Sequence, residues 1–198
     1  MCGIAGEIDL SKGVQKKNFF LKKLSHRGPH NEKFFKIDNN ICFYHTRLKI
    51  IDLSDKSNQP MLSYDRRYII SYNGELYNYV ELKKKLEKLG FFFKTTGDTE
   101  VFLNGFIKFG KNFFKIANGI FAVSIYDRKE KILYLARDFI GVKPLYYSLK
   151  NNNFVFASEA KAIINNVSDK TINKKAINEF LFYKYISGKD TLVKNVYK

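Results

Sequence analysis

Cys2 is the residue that could do the sharpest chemistry in this 198-residue chain. Met1 is removable before a residue as small as cysteine. Its loss would put a thiol and a free α-amine on one residue. An α-amine titrates at about 7.7 to 8 and so accepts a proton near neutral pH. A thiol with a pKa of about 8.5 is scarcely ionised there and gains from a base alongside. One residue then holds both a nucleophile and its base, and no histidine is required. On position alone, a cysteine at residue 2 is more often incidental. The neighbourhood favours the chemical reading. Cys2-Gly3-Ile4-Ala5-Gly6 places small residues beside the thiol and an apolar strand behind it. A terminus tied into a sheet is held in place, where a free one frays.

Other chemistries find less support. The second cysteine, Cys42, alternates into a strand face and reads as an inert core thiol. No CxxC occurs, and His26, His30 and His45 lack ligand spacing, so no structural metal is expected. Two cysteines do not make a secreted disulfide framework, which points to a reduced, cytoplasmic setting. No apolar run approaches a membrane span, and no basic region precedes the short apolar start. The formal net charge is +16, but only six of the 35 basic residues are Arg (27, 47, 66, 67, 128, 137). The lysines are spread among Asn, Ile, Phe and Tyr. Clustered arginine would mark a reader of base edges, so nucleic acid is not expected as the partner.

The elements that must position these groups follow from periodicity. Residues 3–10 read as a strand, and 15–25 as an amphipathic helix ending before HRGP. Ile41–Leu48 alternate, with Ile41, Phe43 and His45 on one face and Cys42, Tyr44 and Thr46 on the other. Tyr68–Tyr72 form another strand. Leu82, Leu86 and Leu89 recur at helical spacing before the stop signal Gly90. A second helix starts near Asp98, carries Phe102, Phe106 and Phe109 on one side, and ends at Gly110. The period then becomes two. Strands are expected at 120–127, 132–137, 145–149 and 154–157, and a helix at 174–185. No repeat or linker interrupts the chain, so residues 1–198 are expected to form one domain. Strands, then two helices, then strands and a helix suggest an α+β layered fold and not βαβ alternation.

A family resemblance joins these pieces. MCGIAGE resembles the opening of class II glutamine amidotransferases, which are N-terminal-nucleophile (Ntn) hydrolases. The later motifs resemble the asparagine synthetase branch: SHRGP (25–29), HTRLKIIDL (45–53), QPM (59–61), YNGELYNY (72–79), TTGDTEV (95–101), GIFAVSIYD (119–127), RDFIGVKPLYY (137–147) and FASEAKAI (156–163). They come in the family's order and cover nearly the whole chain. The resemblance implies a four-layer αββα sandwich of two antiparallel sheets. It also implies glutamine hydrolysis to glutamate and ammonia through a Cys2 thioester.

It assigns roles as well. Asn73 and Gly74 match the oxyanion hole, where loss of one donor costs about 100- to 1000-fold in rate. Asn-Gly is also the signature of a hairpin turn, but Glu75–Leu89 has helical spacing and not that of a returning strand. Arg47 matches the grip on the α-carboxylate of glutamine, a task suited to a guanidinium fork. By residue type alone it could be a surface ion pair. Asp98 matches the carboxylate that receives the α-ammonium, with Glu75 assisting, and could also cap its helix. Ile50 and Ile51 lie where the family uses backbone groups around the substrate, with their side chains expected in the core. His26 and Arg27 are expected to organise the loop near the site. Arg137, Asp138, Gly141 and Pro144 are expected to shape the substructure leading toward the ammonia exit. The family reads HRGPD where this chain has His30 after Pro29.

The glutaminase half needs no metal or organic cofactor. ATP and Mg belong to a C-terminal synthetase domain, whose SGGxDS signature is not found here; Ser187-Gly188-Lys189-Asp190 reads as a turn. The implied partners are glutamine and a synthetase domain or subunit that consumes the ammonia, with no nucleic acid and no membrane. A homodimer is left open. Two competitors stand beside this reading: amidation of sugar acids for surface polysaccharide, and a catalytically inactive partner module.

Overall fold

The computed structural model describes residues 1–14, 18–166 and 170–198. The strands are β1 (Gly3–Asp9), β2 (Asn31–Lys36), β3 (Ile41–Arg47), β4 (Met61–Leu62), β5 (Tyr68–Leu76), β6 (Gly119–Asp127), β7 (Ile132–Arg137), β8 (Tyr146–Lys150) and β9 (Asn153–Ala157). The helices are α1 (Phe19–Leu24), α2 (Tyr79–Lys88), α3 (Asp98–Phe109), α4 (Phe113–Ile116), α5 (Ala160–Ile163) and α6 (Lys174–Tyr183).

The strands form two sheets, ordered β2-β3-β1-β9-β8 and β4-β5-β6-β7. Every pairing within them is antiparallel. Alternation along each strand then builds three apolar layers. Ile4, Phe43 and Phe156 of the first sheet meet Ile69, Ala122 and Tyr126 of the second. The opposite face of the first sheet (Ala5, Cys42, Tyr44, Val155) packs on Phe20 and Leu24 of α1 and Ala162 and Ile163 of α5. The outer face of the second (Ile70, Tyr72, Val123, Ile125) packs on Leu82 and Leu86 of α2 and on Val101, Phe102 and Phe106 of α3. The result is the four-layer αββα sandwich. Phe102 lies about 5 Å from the rings of Tyr72, Phe113 and Phe121.

Most expected elements are present, with informative differences. β5 runs through Glu75 and Leu76, where the spacing predicts a helix; Leu76 pairs with Gly119 of β6. Asn73-Gly74 therefore lies inside a strand and not at a hairpin turn. β2, β4 and the short α4 and α5 were not anticipated. The expected helix at 15–25 is seen as α1 followed by a single 3₁₀ turn, Ser25–Arg27; residues 15–17 lie outside the described residues. α6 stops at Tyr183 because Lys184 turns left-handed (φ 62°) and returns its N–H to Phe180 O. Gly90 and Gly110 end α2 and α3 with positive φ, as expected of stop signals. Ile50 is 68% exposed, so its side chain is not in the core. The loop that carries it folds around the Arg47 guanidinium and leaves Ile50 facing out.

Candidate active site

β1 brings Cys2 to the mouth of the sandwich. In register, Gly3 pairs with Thr46 of β3, which sets Cys2 beside the end of that strand. Leu48 N–H donates to Cys2 Sγ (3.4 Å), and the thiol faces Leu48 O at 3.6 Å. From the other side, Arg27 Nε donates to Cys2 O at 3.0 Å. Arg27 Nη1 is held by Glu159 Oε1 at 2.9 Å, and His26 Nε2 meets the same oxygen at 2.8 Å. The expected organising role of His26 and Arg27 thus has a concrete form: an ion cluster that fastens the backbone of the second residue. Burial pushes the Cys2 thiol up, while the Leu48 N–H, the N-terminal charge and Arg47 pull it back.

Cys2 lines a small cavity of about 90 Å³ between the open ends of the sheets. Asn73, Gly74, Glu75, Arg47, Ile50, Ile51 and Asp98 line the same cavity, so every site residue expected from the sequence is brought together. Asn73 is buried, and its Nδ2 has no hydrogen-bond acceptor. An unpaired buried donor costs about 1–3 kcal/mol. A fold tolerates such a cost most readily where a ligand supplies the acceptor.

Arg47 is buried and is not a surface ion pair. Its guanidinium donates to Ser54 O at 2.6 Å, to Asn58 Oδ1 at 2.8 Å and to Asp52 O. These contacts wrap the 48–58 loop around the charge and use three of its five N–H donors. The Asp52 carboxylate fastens that loop to the segment before α3, accepting from Thr96 N–H (2.8 Å) and Thr96 Oγ1 (3.0 Å). Burial pushes its carboxyl up, but hydrogen bonds from Ser54, Thr96 N–H and Ser57 hold it well below the usual range.

Asp98 opens α3 but does not cap it. Gly97 occupies the capping position, and Asp98 Oδ2 instead accepts from Leu76 N–H (3.0 Å) and Tyr72 OH (3.2 Å). Burial pushes this carboxyl up, and those two bonds oppose the shift. Glu75 is exposed at the rim. His30 does not line the cavity; its Nδ1 accepts from Lys49 N–H at 3.0 Å, so no Cys–His pair forms. Asp138 accepts from the N–H groups of Phe121, Val142 and Lys143, which folds the 138–144 loop back toward the cavity wall at Lys143. Cys42 is buried away from the cavity, and burial pushes its thiol up. No group of three or more His, Cys, Asp or Glu is placed to hold a metal among the described residues. Reasoning from sequence did not single out Leu48, Asp52, Gln59 or Tyr72 as lining residues, although all four fall within the quoted motifs.

Similar proteins agree with this geometry. The glutamine amidotransferase domain family matches residues 1–198. Bacillus subtilis asparagine synthetase [glutamine-hydrolyzing] 1 is 34% identical, covering 100% of this chain and 32% of its own length. Bacillus subtilis asparagine synthetase [glutamine-hydrolyzing] 3 is 39% identical, covering 83% of this chain and 27% of its own. The chain therefore spans about a third or less of these curated relatives. Among solved structures, Bacillus subtilis glutamine phosphoribosylpyrophosphate amidotransferase complexed with ADP and GMP aligns with a TM-score of 0.68 at 24% identity. It covers 82% of this chain and 43% of that one. That likeness shows the fold, the αββα arrangement. By its sequence, its layers and the family match over its whole length, the chain belongs to the glutamine amidotransferase domain family, and within it resembles the glutaminase part of asparagine synthetases.

Proposed function

We propose that residues 1–198 form a single glutaminase domain that releases ammonia from glutamine for an asparagine-synthetase-type partner domain or subunit. The observation that carries this is the shared cavity of Cys2 and Asn73, with the Asn73 Nδ2 donor buried and unpaired. Such a donor is what an oxyanion forming next to a thiolate requires.

The chemistry follows from placement. Removal of Met1 converts the Cys2 nitrogen from an amide to a basic amine. Glutamine lies with its α-carboxylate on the two guanidinium donors of Arg47 that the loop leaves unused. Its α-ammonium meets Asp98, with Glu75 at the rim. The Cys2 thiol gives its proton to the α-amine, and the sulfur forms a bond to the side-chain amide carbon. The carbonyl oxygen takes negative charge and bonds to Asn73 Nδ2 and Gly74 N–H. The α-amine returns the proton to the amide nitrogen, the C–N bond breaks, and ammonia leaves. A water then attacks the thioester with its proton passing to the same amine. The S–C bond breaks and glutamate is released. Ile50 and Ile51 contribute backbone at the cavity wall. This half-reaction uses no metal or organic cofactor; ATP and Mg serve the acceptor-activating domain. The setting is cytoplasmic, where thiols stay reduced.

The test is glutamate release from glutamine by the chain and by Cys2→Ala. Turnover by the first and none by the second is expected. Equal rates would remove Cys2 from the role of nucleophile.

A further inference from the structure

We propose that Gln59 is a positioning residue for the oxyanion donors, acting through the peptide that joins Tyr72 to Asn73. The inference rests on the glutaminase reading of the site and adds to it a residue for which that mechanism has no use.

The β4–β5 ladder pairs Met61 with Ile70 and Leu62 with Ile69. The next backbone groups in that register are those of Gln59, opposite Tyr72, and the ladder stops short of them. Tyr72 would then present an N–H and a C=O on an open edge inside the fold, where unpaired backbone groups are costly. The Gln59 side chain fills that gap. Its Oε1 accepts from Tyr72 N–H at 2.6 Å, and its Nε2 donates to Tyr72 O at 3.3 Å. One carboxamide thus does what a neighbouring strand would do. Gln59 is itself buried, and Nε2 also donates to Thr99 Oγ1 on α3 (3.2 Å), one residue after Asp98. From the facing sheet, His45 Nε2 lies 3.2 Å from the same Tyr72 oxygen. Burial pushes His45 down to about 4, so the ring is neutral and carries its hydrogen on Nε2 toward that oxygen.

The next residue is Asn73, whose backbone is in register with Ala122 of β6 on the opposite edge. Tyr72 is thus held on one edge by Gln59 and Asn73 on the other by β6. Rotation of that peptide would swing the Asn73 carboxamide and the Gly74 N–H together. A tilt of a few tenths of an ångström weakens a donor aimed at a developing charge, with little effect on substrate held at Arg47 and Asp98.

The experiment is a double-mutant cycle on glutamine hydrolysis, with kcat normalised to Cys2 sites titrated by a glutamine-like electrophile. The variants are Gln59→Met, Gln59→Glu, Asn73→Leu and the two doubles. Gln59→Met removes both bonds to Tyr72, while Gln59→Glu keeps the acceptor for Tyr72 N–H and sets a carboxyl oxygen against Tyr72 O. Each Gln59 variant is expected to lower kcat by about 10- to 100-fold with KM within about threefold. Added to Asn73→Leu, the same change should cost no more than about threefold, because the group it positions is already gone. Multiplying effects in the double variants, a kcat loss that merely tracks a lowered melting temperature, or unchanged kcat in Gln59→Met would each overturn the positioning role while leaving the glutaminase reading in place. Absence of Cys2-dependent turnover in the unmodified chain would overturn both.

Discussion

Replacing Asn73 by leucine should make the protein less active and, at the same time, no less stable. The Asn73 side chain is 2% exposed, and its Nδ2 has no acceptor. Leaving a donor dry costs about 1–3 kcal/mol, and leucine has nearly the shape of asparagine without the polar atoms. Part of that gain is lost to imperfect packing, so unfolding free energy should rise by up to about 1 kcal/mol. For a domain of this size that is a melting temperature raised by about 2–4 °C. The reaction loses one of its two oxyanion donors, about 2.7–4 kcal/mol in the barrier, or a 100- to 1000-fold fall in kcat. KM should change little, because the bond strengthens only as charge develops. Thermal unfolding by circular dichroism and a coupled glutamate assay read the two quantities on one preparation. A variant that keeps wild-type kcat would refute the reasoning. So would one that is destabilised by more than about 1 kcal/mol, since the donor would then have been structural.

Two further outcomes follow from the same geometry. Burial raises the Asp98 carboxyl, and an ammonium binds only its ionised form, so kcat/KM should fall as pH drops through a value above the ordinary Asp range of about 3.9. Since the folded state holds that proton more tightly than the unfolded state, the ligand-free protein should lose stability as pH rises through the same window. Asp98→Asn should abolish both dependences and weaken glutamine binding at every pH. A pH profile unchanged in that variant would assign the acid limb to another group. Gly74→Ala would place a Cβ 2.6 Å from Ile120 O and Phe121 Cβ and 2.8 Å from Phe121 Cα, all on the paired strand. β5 and β6 must then part at the oxyanion donors, giving a loss of about 1–3 kcal/mol of stability and more than 100-fold in activity; wild-type turnover would show that the strand yields freely.

The chain itself revealed the parts of this site that rest on residue type and local period. Cys2 is legible because sulfur and α-amine chemistry depend only on position. α3 is legible because Phe102, Phe106 and Gly110 mark its buried face and its end. The missed parts depend on contacts distant in sequence. β2 reads NEKFFK and lies at a sheet edge, largely exposed, so it carries no clean alternation. Glu75 and Leu76 resemble the start of a helix because nothing local shows Ile120 and Gly119 pairing with them. Ile50 reads as core by residue type, but Arg47 turns inward and the loop after it folds over the guanidinium, leaving Ile50 outside. Asp98 looked like a cap, and only the fold brings Tyr72 and Leu76 to its oxygen. Gln59 had one visible signal, a polar residue directly before a proline, and its two bonds to Tyr72 lie 13 residues away.

The most direct test is the intact mass of the full chain after incubation with diazo-oxo-norleucine, a glutamine-like electrophile. One adduct is expected on a chain that has lost Met1, and no adduct with Cys2→Ala or with an added N-terminal residue that blocks the amine. Labelling of a chain that retains Met1, labelling that survives Cys2→Ala, or no labelling of a folded chain that lacks Met1 would contradict it.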